Sequence, residues 1–270
     1  MSIVLGLSAV ICGTYFATKL NTVNIEFRTR LDEDETRLPA GILDKVKDSG
    51  EFNYKTSVLF LNTDKSIEKI EKSNPYVKVT QVVRKFPNKL YVYIAERIPK
   101  YRIVDSQYDD SWVILDDEFK VLEKISNTDL QAQELDKNTV EIKYISQKLE
   151  VGDILSKPVE LDRLNSILSG VYGRTKDYFA VRNIDYSSDE NTFYVTMRSS
   201  VEREDGTISY EGGCVIQIEG LENLKDRALM ATSVYVGDDI GDGNQMSNRD
   251  LSQKVVIIPG EDSCIVKNQG

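Results

Sequence analysis

Histidine is missing from all 270 residues, and with it the commonest general base near neutral pH and the commonest metal ligand. No Cys-His pair can form, which weighs against an enzyme. Cysteine is scarce as well. Cys12, Cys214 and Cys264 are too few and too far apart for a zinc ribbon or a disulfide-dense scaffold. Cys214 and Cys264 can pair only if their strands are neighbours outside the cytoplasm, and the simpler reading is two small half-buried residues. Basic residues are outnumbered, 34 Lys and Arg against 44 Asp and Glu, for a formal net charge of -10. A general nucleic-acid binder needs clustered cations for its phosphate contacts, and no basic stripe stands out. Gly-x-Ser-x-Gly and phosphate-cradling glycine loops are absent too. Charge itself is lacking from Met1 to Thr18, where Ile3 to Ala17 is largely apolar and Lys19 is the first charged residue.

That uncharged run meets the lower limit for a membrane span. A cleaved signal peptide opens with a basic region and ends at a small-x-small site, and nothing basic precedes Ser2. Ile11 is too bulky for the position before a lipoprotein cysteine at Cys12. The sequence therefore predicts an uncleaved transmembrane anchor over residues 1–20, with no basic flank ahead of it to fix its orientation. Beyond the anchor, 40% hydrophobic and 29% charged residues describe a folded chain with enough apolar material for a sizeable core. A prior of about 150 residues per domain suggests two domains.

Residues 22–99 read as a small β-α-α-β-β unit. Val23, Ile25 and Phe27 alternate with Asn24, Glu26 and Arg28 as a first strand. Leu38, Ile42 and Val46 recur at helical spacing, with Pro39 in a first-turn position and Gly50 beyond the end. A second helix is capped by Thr63 or Asp64 and turns Ile67 and Ile70 inward. A hairpin follows between Asn74 and Pro99: Val77, Val79 and Val83 on one arm, Leu90, Val92 and Ile94 on the other, and a Phe86-Pro87-Asn88-Lys89 turn between them. Glu96 and Arg97 are adjacent on a strand and face opposite sides, so each is expected to pair with a neighbouring element in a structural role.

Residues 100–270 are predicted to be a mainly antiparallel β domain with flanking helices. Strands are expected at Tyr101–Val104, Trp112–Leu115, Phe119–Ile125, Thr139–Ile145, Phe179–Tyr186, Thr192–Val201, Thr207–Ile218, Val255–Ile258 and Cys264–Lys267. Trp112, the single tryptophan, anchors packing. Asp116-Asp117-Glu118 and Glu204-Asp205-Gly206 mark hairpin turns, and Pro259-Gly260 turns the last two strands. One helix opens at Pro158 with a stripe of Leu161, Leu164, Leu168 and Val171 and stops at Gly173. Another runs Leu221–Val234 with Leu224, Ala228 and Ala231 inward.

The hairpin also carries a family likeness. Pro75-Tyr76-Val77, Arg84, Phe86-Pro87, Leu90-x-Val92-x-Ile94 and Glu96-Arg97-x-Pro99 together resemble the signature of the FtsQ/DivIB family of bacterial cell-division proteins, in which this segment belongs to a POTRA domain. Ile218-x-Gly220 followed by Asn223 and Lys225 resembles the same family near the end of its β domain. The family usually has a glycine where Glu118 stands. The resemblance implies a non-enzymatic divisome scaffold with no cofactor. It would lie at the septum, a single-pass membrane protein with its bulk outside the cytoplasm. It would link coiled-coil partners of the FtsB/DivIC and FtsL type to the septal peptidoglycan synthase. Family members pair with partners near their C-terminal end. The strand Val255, Val256, Ile257 and Ile258, with Pro259 and Gly260, is accordingly the expected partner-binding edge, where unpaired backbone groups accept an added strand.

Two other readings compete. An extracytoplasmic ligand-binding or hydrolytic domain on the same anchor requires converging carboxylates in a pocket. A POTRA-bearing transport component requires a long series of outward-facing strands, which is missing. Asp238, Asp242 and Gly243 fit parts of a calcium loop, but Ile240 takes a ligand position and Arg249 replaces the closing glutamate. The pairs Asp109-Asp110 and Asp116-Asp117 read as surface charge.

Overall fold

The structure, a computed structural model, describes residues 13–29, 36–105, 108–126, 128, 135–198, 201–202, 208–209, 214–236, 254–261 and 263–269. The chain divides into two compact units, Met1–Ile98 and Pro99–Gly270. Among the described residues no helix is long and apolar enough to cross a membrane. The first twelve residues of the expected anchor lie outside them, as does the Asp238 to Arg249 segment. Thr18 and Leu20, the last residues of the uncharged run and its flank, are buried in the first unit.

In the first unit the order is β1 (Thr22–Thr29), α1 (Ile42–Ser49), α2 (Thr63–Ser73), β2 (Val77–Lys85) and β3 (Lys89–Glu96). The sheet order is β1-β3-β2, with β3 central, parallel to β1 and antiparallel to β2. Strict alternation along β3 sends Leu90, Val92 and Ile94 into the core, where Val46 of α1 and Ile70 of α2 are fully buried. Each such aliphatic side chain contributes about 2 kcal/mol by leaving water.

Three local expectations shift. Leu38 is buried but precedes α1, because Gly41 takes φ 72°, a left-handed turn that redirects the chain before the helix starts. The cap of α2 is Asn62, whose Oδ1 accepts from Lys65 N at 3.3 Å, so the helix begins one residue earlier than a Thr63 cap implies and two earlier than an Asp64 cap. In β2 a register break between Val79 and Gln81 inserts one residue. That bulge reverses the parity beyond it, so Val82, opposite Val92, packs on the core, and Val83, opposite Tyr91, does not.

The second unit is built on one sheet. Its strands are β4 (Tyr101–Asp105), β5 (Tyr108–Leu115), β6 (Val121–Ser126), β7 (Val140–Ile142), β8 (Val181–Ser187), β9 (Thr192–Met197), β12 (Val215–Glu219), β13 (Lys254–Pro259) and β14 (Cys264–Gln269). Their order is β14-β13-β12-β9-β8-β7-β4-β5-β6. The pairs β12/β13, β7/β8 and β4/β7 are parallel and the others antiparallel. A separate ribbon joins β10 (Val201–Glu202) to β11 (Ile208–Ser209). The expected strand from Thr192 to Val201 is thus divided between two sheets. Of Thr207–Ile218, only Ile208–Ser209 and Val215–Glu219 are described as strand.

Two helices, α3 (Pro158–Thr175) and α4 (Leu224–Val236), pack on each other, with Leu164, Ile167, Leu168 and Val171 of α3 and Ala228 and Ala231 of α4 in the core. Gly173 does not stop α3, which ends at Thr175 with Lys176 in the left-handed conformation. Its neighbour Gly170 faces α4 so closely that a Cβ there would lie 2.3 Å from Lys225 O.

The β5–β6 turn corrects another expectation. Asp116 is fully buried rather than surface charge, and its Oδ1 accepts from the backbone N–H groups of Glu118 and Lys120, each at 2.9 Å. The left-handed position falls on Phe119 at φ 60°, a costly conformation for a bulky residue. Its ring stacks on Tyr101 with centroids 4.8 Å apart, which holds it there.

Candidate partner-binding edge

The strand Lys254–Pro259 is built to be buried. Val255 and Ile257 point into the core beside α4, and Val256 on the other face is buried as well. It also has neighbours on both sides: β12 runs parallel, with Val256 opposite Val215 and Ile257 opposite Ile216, and β14 runs antiparallel. Val255 to Pro259 is therefore an interior strand, not the edge anticipated from its place near the end of the chain. The reason is the turn after Pro259. Gly260 N donates to Ser263 O at 2.7 Å, and the chain folds back to pair Pro259 with Cys264, Ile258 with Ile265 and Ile257 with Val266.

The strand at this end of the sheet is β14, with β6 at the opposite end. Its six residues span about 20 Å. Cys264 leans on the core, whereas Ile265 is 58% and Val266 41% exposed. An outermost strand presents alternate N–H and C=O groups to solvent, and β14 carries two aliphatic side chains there as well. Among the described residues no further strand pairs with it.

Around the Gly260 end of the hairpin lies a groove of about 830 Å3 that reaches the start of α4. Glu219, Glu222, Asp226 and Glu261 line it, all exposed. Among the described lining residues the cation is Arg227, which donates to the Glu219 carbonyl. Exposed carboxylates of this kind make a negative surface for a basic segment.

The two cysteines of this unit are free. Cys214 precedes β12, in the row of Val255 and Asn268 extrapolated from the register, while Cys264 stands opposite Pro259. Four residues along β14 separate those rows by about 13 Å, beyond the reach of a disulfide. Burial pushes the Cys214 thiol up to about 12 and also raises Cys264.

The motif residues of the first unit act on its own frame. Arg97 is buried, its backbone N–H donating to Tyr76 O at 2.8 Å, its Nε to Val77 O at 3.4 Å and its Nη2 to Glu71 of α2 at 3.1 Å. Glu96 is also buried and accepts from Arg37 N and Thr36 Oγ1, both at 2.7 Å, fixing the approach to α1. Arg84 donates to Leu61 O at 3.0 Å and Thr63 Oγ1 at 3.2 Å at the start of α2. Pro75 and Tyr76 turn the chain into β2, Val77 is fully buried, and Pro99 is buried at the start of the second unit. Phe86 and Pro87 are exposed in the hairpin turn.

Sequence reasoning missed Arg102. Its guanidinium is buried over Trp112, 4.6 Å from the ring, and pairs with Asp136 at 2.5 Å and Glu141 at 3.1 Å. Trp112 is half-buried and carries this cation. An arginine in the second position of a strand gives no local sign of burial.

The comparisons agree with this frame. Residues 19–97 match the family model described as a POTRA domain of the FtsQ type. Over 193 residues the chain is 32% identical to the cell division protein DivIB of Clostridium tetani (strain Massachusetts / E88), an overlap that covers 71% of this chain and 57% of that protein. The chain thus spans less than two thirds of that relative's length. With the β-α-α-β-β unit and the larger sheet after it, these matches make the chain a member of the FtsQ/DivIB family.

Proposed function

We propose that this protein is a non-enzymatic scaffold of bacterial cell division, anchored by its N-terminal residues with its bulk outside the cytoplasm at the septum. It links coiled-coil partners of the FtsB/DivIC and FtsL type to the septal peptidoglycan synthase. The likeness to DivIB supports the cell-division role. The binding step is strand addition at β14, and the observation that carries it is an outermost strand with Ile265 and Val266 exposed beside an acidic groove. A six-residue edge turns about three N–H and three C=O groups outward. Pairing them contributes about 1 kcal/mol per hydrogen bond, and covering the two aliphatics about 1–2 kcal/mol each. Ordering the partner segment offsets much of that sum. A basic stretch flanking the added strand would lie in the groove.

The test is capture of membrane partners by the full chain and by an Ile265→Lys/Val266→Lys variant, which charges the edge while leaving β13 intact. Capture should be lost while the unfolding midpoint stays within the range of surface substitutions. Undiminished capture would rule out β14 as the edge.

A further inference from the structure

We propose that one end of the first unit docks on a bilayer containing anionic phospholipid, with Phe60 and Phe86 entering the acyl boundary. This rests on the anchor reading above and extends it from the N-terminal residues to the folded unit.

Three separate segments are tied together at this end. Leu20 N donates to Thr56 O at 3.0 Å and Val58 N to Thr18 O at 2.8 Å, with Lys19 bridged to Ser57. Tyr15 Oη donates to Lys55 O at 3.1 Å. Asn21 N donates to Asn88 O in the β2–β3 turn at 2.9 Å, and Arg84 reaches Leu61 O. The segment after the uncharged N-terminal run, the loop before α2 and the hairpin turn therefore form one surface.

That surface is apolar where a soluble end would be polar. Phe16 is 68%, Phe60 75% and Phe86 73% exposed, and Tyr15, Tyr54 and Leu59 are exposed with them. Lone exposed aromatics are ordinary, but three phenylalanines on adjoining segments make a patch of the kind that marks an interaction site.

Its charge selects the occupant. Lys19, Lys55, Arg84, Lys85 and Lys89 lie on these segments, and residues 13–22, 52–63 and 84–95 contain no Asp or Glu. In a chain with 44 acidic residues this is the reverse of the overall balance. Aromatic rings ringed by lysine and arginine match the boundary of an anionic bilayer, where rings sit at headgroup depth and cations meet phosphate. The uncharged residues Met1 to Thr18 lead directly into the same end. A membrane anchor there holds the patch against the lipid it came from.

The test uses the full chain reconstituted into vesicles of equal parts phosphatidylglycerol and phosphatidylcholine, with or without bromine on the acyl chains. Phe60→Trp, Phe86→Trp and Ile98→Trp are compared after subtracting the emission of Trp112, the parent's single tryptophan. Ile98 is exposed beyond the far end of β3, about 25 Å or more along the strand from the turn. The added emission at positions 60 and 86 should be lost to brominated lipid and that at position 98 kept, with weaker quenching in pure phosphatidylcholine. A chain that floats with the vesicles but shows no quenching at 60 and 86, or equal quenching at 98, overturns the docking and leaves the anchor standing. Quenching that is unchanged in pure phosphatidylcholine overturns the anionic-lipid assignment. A chain that does not float removes the anchor reading, and the docking falls with it.

Discussion

Replacing Gly170 by alanine should destabilise the second unit, although the same change in an ordinary helix stabilises it. A Cβ at this position would stand 2.3 Å from Lys225 O, 2.7 Å from Ala228 Cβ and 3.0 Å from Leu229 N. Ordinary contacts begin near 3.4 Å, so α4 would have to withdraw by about 1 Å, and a gap of that size forfeits a quarter to a half of the dispersion energy along the seam. All three obstructing atoms are backbone or a short Cβ with no rotamer to move into, which places the cost near the upper end of the overpacking range, about 3 kcal/mol. The helix-propensity gain of alanine offsets about 1 kcal/mol. The net loss is about 2 kcal/mol, or roughly 4–8 °C in melting midpoint for a unit of this size. Trp112, the chain's single tryptophan, lies in this unit, so its fluorescence follows the relevant transition in a urea or thermal series. Gly173→Ala is the internal control. Its Cβ would meet the Leu229 Cδ1 methyl at 2.9 Å, a side-chain end that can swing away, and its effect should be close to zero. If Gly170→Ala proves as stable as the parent, or Gly173→Ala as damaging, the close helix approach is not what requires glycine.

Two further outcomes are expected. Arg97→Ala removes the buried counter-charge of Glu71 together with the Nε–H donor to Val77 O, and should cost the first unit about 3 kcal/mol. Arg97→Lys should recover only part of this, because a single ammonium cannot serve both directions. Hydrogen exchange at Leu90, Val92 and Ile94 reports it, and unchanged protection would show that Arg97 is dispensable. The second unit should also lose stability from about pH 9 upward. Burial raises the Cys214 thiol from near 9 to about 12 and the Tyr235 phenol to about 12, and Tyr101 and Tyr144 are raised as well. Between the ordinary and the raised values the unfolded chain has released protons that the folded chain keeps, so stability falls as pH rises. Cys214→Val should soften the early part of that fall, and a Trp112 midpoint that stays flat to pH 11 would contradict it.

Much of the first unit is readable from residue spacing because its core positions are set by period-two and helical alternation along short elements. Leu90, Val92 and Ile94 needed nothing but their alternation with tyrosine and alanine. Reading failed where backbone geometry intervenes. The bulge after Val79 exchanges Val82 for Val83, and two adjacent valines give no sign of which one a register break will select. Asp116 misled for a related reason. A carboxylate beside a second carboxylate looks like surface charge, yet a single buried Asp can satisfy two N–H groups of a tight turn. In the second unit β4 and β7 are parallel neighbours separated by the β5–β6 hairpin. Local patterning carries no term for such a crossover.

The edge strand shows the limit most clearly. Val255 to Ile258 is a continuous apolar run, which is the pattern of a strand buried on both faces, whereas Cys264 to Lys267 is short and ends in a charge. Read by composition, the first suits an interior strand and the second an edge, since edge strands tolerate lysine and solvent on one side. Position near the end of the chain, together with the family likeness, suggested the opposite. Burial resolves the conflict. Val255 and Ile257 pack into the core beside α4, and β13 is flanked on both sides, by β12 at Val256 and Ile257 and by β14 along its length. On the proposal that a partner adds at β14, the residues that make the hairpin stable and those that would make it bind are on different strands. Substitutions in β13 should then reduce partner capture only in step with stability, and substitutions at Ile265 and Val266 independently of it.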